Sequence, residues 1–193
     1  GKAFCDDYRV SPLEYIDTAM WCVRKEDIKQ NKLANGNIQA RLRMIYLYNL
    51  ASIHKGLVMD TDNLTENNLG YFTIHGDVGD FNPIGGLWKT EVFELAAWLV
   101  SDYYKQYTFN DSEKDSKVFA KTKALMESIK LKPTAGLGIT NDDLEEIGAE
   151  SYDQVDRVLQ CFTDSSISTD TIDDIPDTIV ESIVRRYNAS KFK

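Results

Sequence analysis

The chain has 193 residues, of which 42% are hydrophobic and 27% charged, a composition that fits a globular domain and excludes disordered or collagen-like chains. Acidic residues outnumber basic ones by 31 to 22, and the net charge of −9 argues against general binding to nucleic acids or anionic membranes. No apolar run approaches the roughly 20 residues that span a bilayer. Three widely spaced cysteines without metal-ligand spacing indicate reduced thiols, so we expect a cytoplasmic protein.

The first predicted elements alternate between strand and helix. Residues 13–18 form a strand-like run, and the cluster at residues 35–37 (Asn-Gly-Asn) is predicted to break the chain and to cap the next helix. Apolar residues then recur at helical spacing, which predicts an amphipathic helix over residues 38–53. The short apolar run at residues 57–60 is typical of a buried parallel strand.

The second half of the chain is predicted to be mostly helical. A glycine-rich loop over residues 71–88 precedes it. An acidic segment, residues 141–181, carries 13 acidic residues and one base, Arg157, and is interpreted as a solvated face or loop. The predicted helices cover residues 90–104, 117–129, 151–162 and 177–189.

A helix followed by a buried strand and a polar loop is typical of an α/β fold, with a parallel sheet flanked by helices. Only two strands are visible, and two strands do not make a stable sheet alone. We therefore expect further strands from a segment before Gly1, and we interpret residues 1–193 as a single domain that is incomplete at both ends.

Polar side chains follow the run at residues 57–60, at the edge of the sheet where α/β proteins bind ligands. Thr61, Asp62 and Glu66 supply the oxygen atoms that suit a hydrated Mg²⁺ ion and phosphates. Asn63 and Glu66 also have the spacing of a capping box, so Glu66 has a structural alternative as a helix cap. Spacing alone favours the cap.

Three other features leave alternatives open. Arg41 and Arg43 lie about 200° apart on a helix, so at most one of them faces a given ligand, and either can be a solvated charge. The loop at residues 71–80 mixes aromatic residues with glycine, which suits stacking on a flat ring or ordinary core packing. His54 and His75 have no Cys or Glu at ligand spacing, which argues against a zinc site.

Several motifs in register resemble those of the NAD⁺ synthetase family. The similarity extends over residues 36–160, with looser agreement towards both ends. The motifs are Gly36-Asn37-Ile38-Gln39-Ala40-Arg41-Leu42-Arg43-Met44, Thr61-Asp62 with Glu66, Gly70-Tyr71-Phe72-Thr73, Gly76-Asp77, Asp80-Phe81-Asn82-Pro83-Ile84-Gly85-Gly86-Leu87-Trp88-Lys89-Thr90-Glu91-Val92, Pro133-Thr134-Ala135-Gly136-Leu137 and Ser151-Tyr152-Asp153-Gln154-Val155-Asp156.

The resemblance implies an ATP-pyrophosphatase α/β fold of the Rossmann-like kind, usually a homodimer. The family activates the nicotinate carboxylate of deamido-NAD⁺ with Mg²⁺-bound ATP, and ammonia then displaces AMP from the adenylated intermediate. Aromatic residues outside the core stripes of two helices also favour a dimer contact, although packing in the monomer is an equal alternative. They are Tyr46 and Tyr48 on the first helix and Trp98, Tyr103 and Tyr104 on the second.

Carried over by position, the resemblance implies roles for particular residues. Glu66 would bind Mg²⁺, which reverses the preference for a cap, and Lys89 would contact the phosphates of ATP. Thr61 and Thr134 would also contact ATP. The residues expected at deamido-NAD⁺ are Asn37, Arg41, His75, Asp80, Phe192 and Lys193.

The sequence departs from the family pattern in five respects. A Ser-Gly-Gly-x-Asp-Ser pyrophosphate loop is absent from these residues and is expected before Gly1. Asp60 replaces the usual glycine, and Ile74 replaces the usual lysine, so His75 is the substitute contact. The loop after Asp77 is one residue shorter, and a glutaminase domain is absent from these residues.

The leading hypothesis is therefore an ammonia-dependent ligase that acts on deamido-NAD⁺, ATP and ammonia. A non-catalytic homologue that binds or regulates is the alternative favoured by Asp60 and Ile74. The synthetase part of a glutamine-dependent enzyme is a further alternative.

Overall fold

The computed structural model describes three stretches of the chain, residues 32–103, 112–131 and 142–192. Two compact units are present. The described residues of the smaller unit are 90–103 and 112–131, and those of the larger unit are 32–89 and 142–192. The single-domain organisation of residues 1–193 stays a prediction.

Helices dominate both units in the described stretches, and none of these helices is long and apolar enough to cross a membrane. In the larger unit they are α1 (Lys32–His54), α2 (Leu64–Leu69), α5 (Asp143–Ile147), α6 (Tyr152–Thr163), a 3₁₀ turn (Thr169–Ile172) and α7 (Asp177–Ser190). Helix α3 (Lys89–Trp98) starts at the last residue of the larger unit and continues into the smaller one, which also contains a π-helical turn (Leu99–Tyr103) and α4 (Ser112–Ile129).

Helix α1 begins earlier than the sequence predicted. It runs through Asn35, Gly36 and Asn37, so the prediction that this cluster breaks the chain was wrong. Gly36 and Ala40 are buried, and the side chain of Asn37 accepts a hydrogen bond from Thr73 Oγ1 at 2.8 Å. These tertiary contacts outweigh the weak helix propensity of the three residues.

The remaining helix predictions are confirmed, with shifted ends. The predicted helix over residues 90–104 divides into α3 and the π-helical turn, and the one predicted over residues 117–129 begins at Ser112. The helices predicted over residues 151–162 and 177–189 correspond to α6 and α7. The loop predicted over residues 71–88 contains no helix.

The predicted strand over residues 57–60 is reduced to one isolated parallel bridge between Met59 and Phe81. The backbone N–H of Asp60 donates to Phe81 O at 2.9 Å, and that of Asp80 donates to Val58 O at 2.8 Å. Residues 13–18 lie outside the described residues. The parallel sheet therefore stays a prediction, and the described part contributes one pairing to it.

The core of the larger unit is built mainly by α2, α6 and α7. Leu69, Val155, Val158 and Ile183 are completely buried there. Burying a side chain of this size contributes about 1.5–3 kcal/mol relative to exposure. Since Leu69 is the last residue of α2, this packing holds the short helix that carries Glu66.

Helix α7 also satisfies the open end of α2. Arg186 Nε donates to Leu69 O at 2.9 Å, and Ser190 Oγ donates to Asn68 O at 2.6 Å. The last carbonyl groups of a helix have no partner within the helix. Gly70 closes the same end in the left-handed conformation, with φ 69°.

The interpretation of residues 141–181 as a solvated face or loop holds only in part. Arg157 lies near the surface, donating to Asp153 at 3.2 Å and pairing with Asp174. Asp142, Asp143 and Asp156 are buried, however. A buried carboxylate requires polar partners. These three acids therefore have a structural or functional role and do not belong to a solvated surface.

Candidate active site

Helix α2 begins with a complete capping box. Asn63 Oδ1 accepts the backbone N–H of Glu66 at 3.0 Å, and Glu66 Oε2 accepts the backbone N–H of Asn63 at 3.0 Å. Each bond satisfies a donor that the start of the helix would leave open. The structural alternative for Glu66 is therefore confirmed, and it uses one of the two carboxylate oxygens.

The other carboxylate oxygen of Glu66 binds Lys89. Lys89 Nζ lies 2.8 Å from Glu66 Oε1, and the two side chains are 14% and 18% exposed. The Lys89 ammonium group also lies 5.6 Å from the centre of the Tyr152 ring, within the range of a cation–π contact. Little water reaches this pair, so its charges are screened weakly.

The main chain of Lys89 is held by the neighbour of Glu66. Its backbone N–H donates to Thr65 Oγ1 at 2.8 Å, and the Thr65 hydroxyl donates to Asp156 Oδ1 at 2.5 Å. Thr65 and Asp156 are 0% and 1% exposed. This buried chain of bonds connects α6 to the first residue of α3.

A cluster of carboxylates surrounds Asp62. Burial raises the pKa of Asp62 from 3.8 to about 7, and the charges of Asp60, Glu66 and Asp77 add to the effect, while Lys89 opposes it. Burial and like charges both disfavour the ionised form, and a bound cation would reverse that penalty. Asp62 therefore stays protonated to a higher pH than an exposed aspartate does.

The residue types in this cluster suit Mg²⁺, which proteins commonly hold through one or two carboxylates together with water and phosphate oxygens. Among the described residues, no group of three or more His, Cys, Asp or Glu side chains is arranged to hold a metal ion. A dedicated all-protein cage is not present in the described stretches.

Asp143 is a second acid near the Glu66–Lys89 pair. Burial raises its pKa to about 6, and the charge of Glu66 adds to the rise while that of Lys89 reduces it. Tyr152 OH donates to Asp143 Oδ2 at 3.5 Å, and Tyr71 OH donates to the Asp143 carbonyl oxygen at 3.3 Å. Burial also raises the pKa of both phenols, so they stay protonated as hydrogen-bond donors.

Three of the residues expected at deamido-NAD⁺ lie together around Thr73. Asn37 binds the Thr73 hydroxyl, and Arg41 Nε donates to Ile74 O at 3.1 Å. His75 is exposed in the left-handed region, with φ 60°. Such a conformation is uncommon for a residue other than glycine, and it turns the loop sharply beside Arg41.

Asp80 has a structural partner. Its Oδ2 accepts the backbone N–H of Val58 at 2.9 Å, which supports the bridge between Met59 and Phe81. The pKa of Tyr48 is raised by burial and by the neighbouring Asp80 carboxylate. The Asp80 side chain thus joins α1 to the bridge region.

The structure describes two of the four remaining predicted site residues. Thr61 is exposed between Asp60 and Asp62, and Phe192 is 78% exposed after α7. Thr134 and Lys193 lie outside the described residues. Among the described residues, the structure brings Glu66 and Lys89 into contact and gathers Asn37, Arg41 and His75 at one loop.

Sequence reasoning missed the contributions of Thr65, Asp143 and Asp156. Asp156 was noted only as part of a matching motif, and its bond to Thr65 spans 91 positions. One signal was available for Asp156: it lies on α6 at a position in step with the buried Val155 and Leu159, where a carboxylate needs a partner.

Two solved structures of known proteins are similar to this chain in fold. Among solved structures, the NMN synthetase from Francisella tularensis matches with a TM-score of 0.60 and 26% identity, covering 93% of this chain and 58% of that one. The NH3-dependent NAD synthetase from Campylobacter jejuni matches with a TM-score of 0.60 and 22% identity, covering 96% and 62%. Both likenesses are consistent with the ATP-pyrophosphatase fold.

The sequence comparisons agree. A family model for NAD synthase matches residues 2–193, and the chain therefore belongs to the NAD synthase family. The NH(3)-dependent NAD(+) synthetase of Methanosarcina acetivorans is 32% identical over 97% of this chain and 65% of that protein. The protein of that description from Thermoplasma acidophilum is 39% identical over 72% and 48%. The chain thus spans about half to two thirds of the length of these relatives.

Proposed function

We propose that the protein is a ligase that amidates deamido-NAD⁺ to NAD⁺ with ammonia, using ATP. Membership of the NAD synthase family supports this activity. Within the site, the observation that carries it is the Lys89–Glu66 pair, which is held at both ends of the lysine and shielded from water. A preorganised ammonium beside carboxylates suits the transfer of a nucleotidyl group.

The proposed reaction has two steps. A carboxylate oxygen of deamido-NAD⁺ attacks the α-phosphorus of ATP, and the bond to the β-phosphate breaks, which releases pyrophosphate. Ammonia then attacks the carbonyl carbon of the adenylate, the bond to AMP breaks, and the nitrogen loses a proton. Activation is needed because a free carboxylate oxygen is a poor leaving group.

Lys89 is the proposed electrostatic catalyst of the first step. Its ammonium group, which donates to Glu66 Oε1 in this structure, would stabilise the charge on the departing phosphate oxygens. Glu66 and Asp62 would hold Mg²⁺, which neutralises phosphate charge when it is bound. The raised pKa of Asp62 supports this assignment, since a cation would stabilise its ionised form.

The loop around Thr73 is the proposed binding region for deamido-NAD⁺. The Arg41 bond to Ile74 O uses Nε and so fixes the plane of the guanidinium group, which suits an anionic part of the substrate. Asn37 and His75 lie at the same loop. Asp80, Phe192 and Lys193 are proposed as further contacts to deamido-NAD⁺, and Thr61 and Thr134 as contacts to ATP.

A homodimer is proposed as the assembly. Helix α1 exposes Ile45, Tyr46, Leu47 and Ile53, each by more than two fifths of its surface. Exposed apolar side chains concentrated on one helix favour a protein interface.

A second substrate is favoured by one comparison. The Francisella tularensis protein is described as an NMN synthetase, so amidation of the corresponding mononucleotide is the alternative for the same site. Both substrates contain the carboxylate that is activated, and only deamido-NAD⁺ contains an adenylate half.

Product analysis of the full-length protein tests this proposal. The protein is incubated with ATP, Mg²⁺ and ammonium, and with either deamido-NAD⁺ or nicotinate mononucleotide. Glutamine replaces ammonium in a parallel reaction. We expect NAD⁺ from deamido-NAD⁺, with AMP and pyrophosphate formed in equal amounts. ADP and phosphate as products would overturn the adenylate mechanism, and absence of any amide would favour the non-catalytic homologue.

A further inference from the structure

Two consecutive residues of α2 bind opposite ends of Lys89. Glu66 Oε1 accepts from the ammonium group at 2.8 Å, and Thr65 Oγ1 accepts from the backbone N–H at 2.8 Å. Lys89 is the first residue of α3, so its N–H belongs to the donors that a helix start leaves open. Thr65 therefore fixes the position of the Lys89 backbone, and Glu66 fixes the position of its ammonium group.

Asp156 sets the direction of the Thr65 hydroxyl. A hydroxyl group has one proton, and a carboxylate oxygen only accepts. Because that proton points to Asp156 Oδ1 at 2.5 Å, a lone pair of Thr65 Oγ1 faces the N–H of Lys89. Both side chains are buried, so water does not compete for these bonds.

Helix α6 approaches Lys89 a second time through Tyr152. Tyr152 and Asp156 are four residues apart on α6 and share one face of the helix. The ring of Tyr152 lies 5.6 Å from the Lys89 ammonium, while Asp156 reaches the Lys89 backbone through Thr65. One face of α6 therefore restrains both the charged end and the main chain of the lysine.

We propose that Asp156, acting through the Thr65 hydroxyl, is a positioning residue for Lys89. A lysine side chain has four rotatable bonds and loses much freedom when it is ordered. Fixing its main chain before the substrate binds reduces the disorder that remains to be removed in the reaction. The catalytic part of this proposal rests on the proposed function, in which Lys89 acts on phosphate. The positioning part does not.

The reactivity of Lys89 in the full-length protein tests the positioning directly. The protein is treated briefly with acetic anhydride, and acylation of each lysine is measured by mass spectrometry. The exposed Lys55 and Lys123 serve as internal references. Thr65→Val keeps the shape of the side chain and removes the hydroxyl, whereas Thr65→Ser keeps the hydroxyl.

We expect Thr65→Val to raise the relative acylation rate of Lys89 about fivefold, the factor expected for one lost hydrogen bond. In Thr65→Ser, the relative acylation rate of Lys89 should stay within about twofold of the rate in the protein without a substitution, since serine offers the same donor and acceptor. Asp156→Ala should resemble Thr65→Val. The double variant should add nothing further, because both changes remove the same chain of bonds. If Thr65→Val does not fold, Thr65→Ala replaces it, since the smaller side chain leaves room for a water molecule beside Asp156.

The outcomes separate this proposal from the proposed function. An unchanged Lys89 rate in a folded hydroxyl-free variant overturns the positioning role, and so do additive effects in the double variant. If Lys89 becomes more reactive and kcat falls about fivefold, with rescue by Thr65→Ser, both proposals stand. If Lys89 becomes more reactive while turnover holds, Asp156 still positions the lysine and the phosphate role of Lys89 fails.

Discussion

The ammonium group of Lys89 lies 2.8 Å from Oε1 of Glu66, the oxygen that the helix cap does not use. The cap occupies Oε2, through the backbone N–H of Asn63. The two roles that the sequence left open for Glu66 are therefore compatible in one side chain. In the proposed function, Glu66 would help to hold Mg²⁺, and Lys89 would bind phosphate oxygens.

Glu66→Gln separates these two roles. The glutamine oxygen can still accept from Asn63, so the cap is kept, but the shielded Lys89 ammonium group loses its charged partner, and we expect a loss of stability of about 1.5–3 kcal/mol. The amide lacks the charge that holds a hard cation, so the Mg²⁺ concentration for half-maximal pyrophosphate release should rise strongly. Thermal unfolding and a Mg²⁺ titration of the full-length enzyme measure the two effects. An unchanged Mg²⁺ midpoint would limit Glu66 to the cap and the ion pair.

Lys89→Met is expected to abolish most turnover. Methionine has a similar length without the charge, and removing one preorganised donor at a developing charge costs about 3 kcal/mol, or more than a hundredfold in kcat. Lys55→Met, at an exposed lysine just beyond α1, is the matched control. Steady-state kinetics in the full-length protein give the result, and an active Lys89→Met enzyme would contradict the phosphate role.

Asp143 predicts a pH dependence of stability. Its pKa of about 6 lies above the ordinary 3.8, so between about pH 4 and pH 6 the folded chain binds more protons than the unfolded chain. The free energy of unfolding therefore falls as the pH rises through this window. Asp143→Asn should be more stable than the protein without the substitution at pH 7, by about 3 kcal/mol at most, and not more stable at pH 4. Urea unfolding at both pH values measures this, with Glu145→Gln at an exposed neighbour as the control.

The sequence predicted those features that depend on local spacing. Regular apolar repeats located α1 and α3, and the spacing of three positions from Asn63 to Glu66 located the capping box. The start of α1 was missed because the burial of Gly36 depends on residues that are distant in the chain. Local propensity has no access to such contacts.

The candidate site was predictable to the same limited degree. Family motifs pointed to Glu66 and Lys89, which the structure brings into contact. The buried bond between Thr65 and Asp156 joins residues 91 positions apart, and no periodic pattern indicates it. The predicted strand shrank to one bridge because a strand requires a partner along its length, and Met59 pairs with Phe81 alone among the described residues.

Gly79 is expected to tolerate no side chain. A Cβ atom there would lie 2.7 Å from Val58 O and would also collide with the backbone nitrogen of Asp60. Gly79→Ala should lower the free energy of unfolding by about 1–3 kcal/mol, because backbone atoms have to move. Gly56→Ala, where a Cβ meets nothing within 4 Å, is the control. Equal stability of the two variants in urea would show that the close approach of the chain at Gly79 is absent in solution.

The apolar surface of α1 predicts an effect on assembly. Ile45 is 59% exposed, and a charge at this position would be solvated in a monomer and buried at an interface. We expect the full-length protein to sediment as a dimer at micromolar concentration and Ile45→Asp to sediment as a monomer. Ser52→Asp places the same charge on an exposed polar position of α1 as the control. A monomer in the unmodified protein would contradict the proposed homodimer.

The bonds from Arg186 and Ser190 to the end of α2 have a consequence for biosynthesis. They join residues that are 117 and 122 positions apart. The carbonyl groups of Leu69 and Asn68 therefore lack these two hydrogen-bond donors until α7 has been translated. At about 5–20 residues per second, that interval is about 6–23 s on the ribosome. During this time α2 also lacks Ile183, one of the buried residues of its core. The nascent chain therefore contains the Glu66 segment early, and that segment can be fixed in place only after α7 has been made.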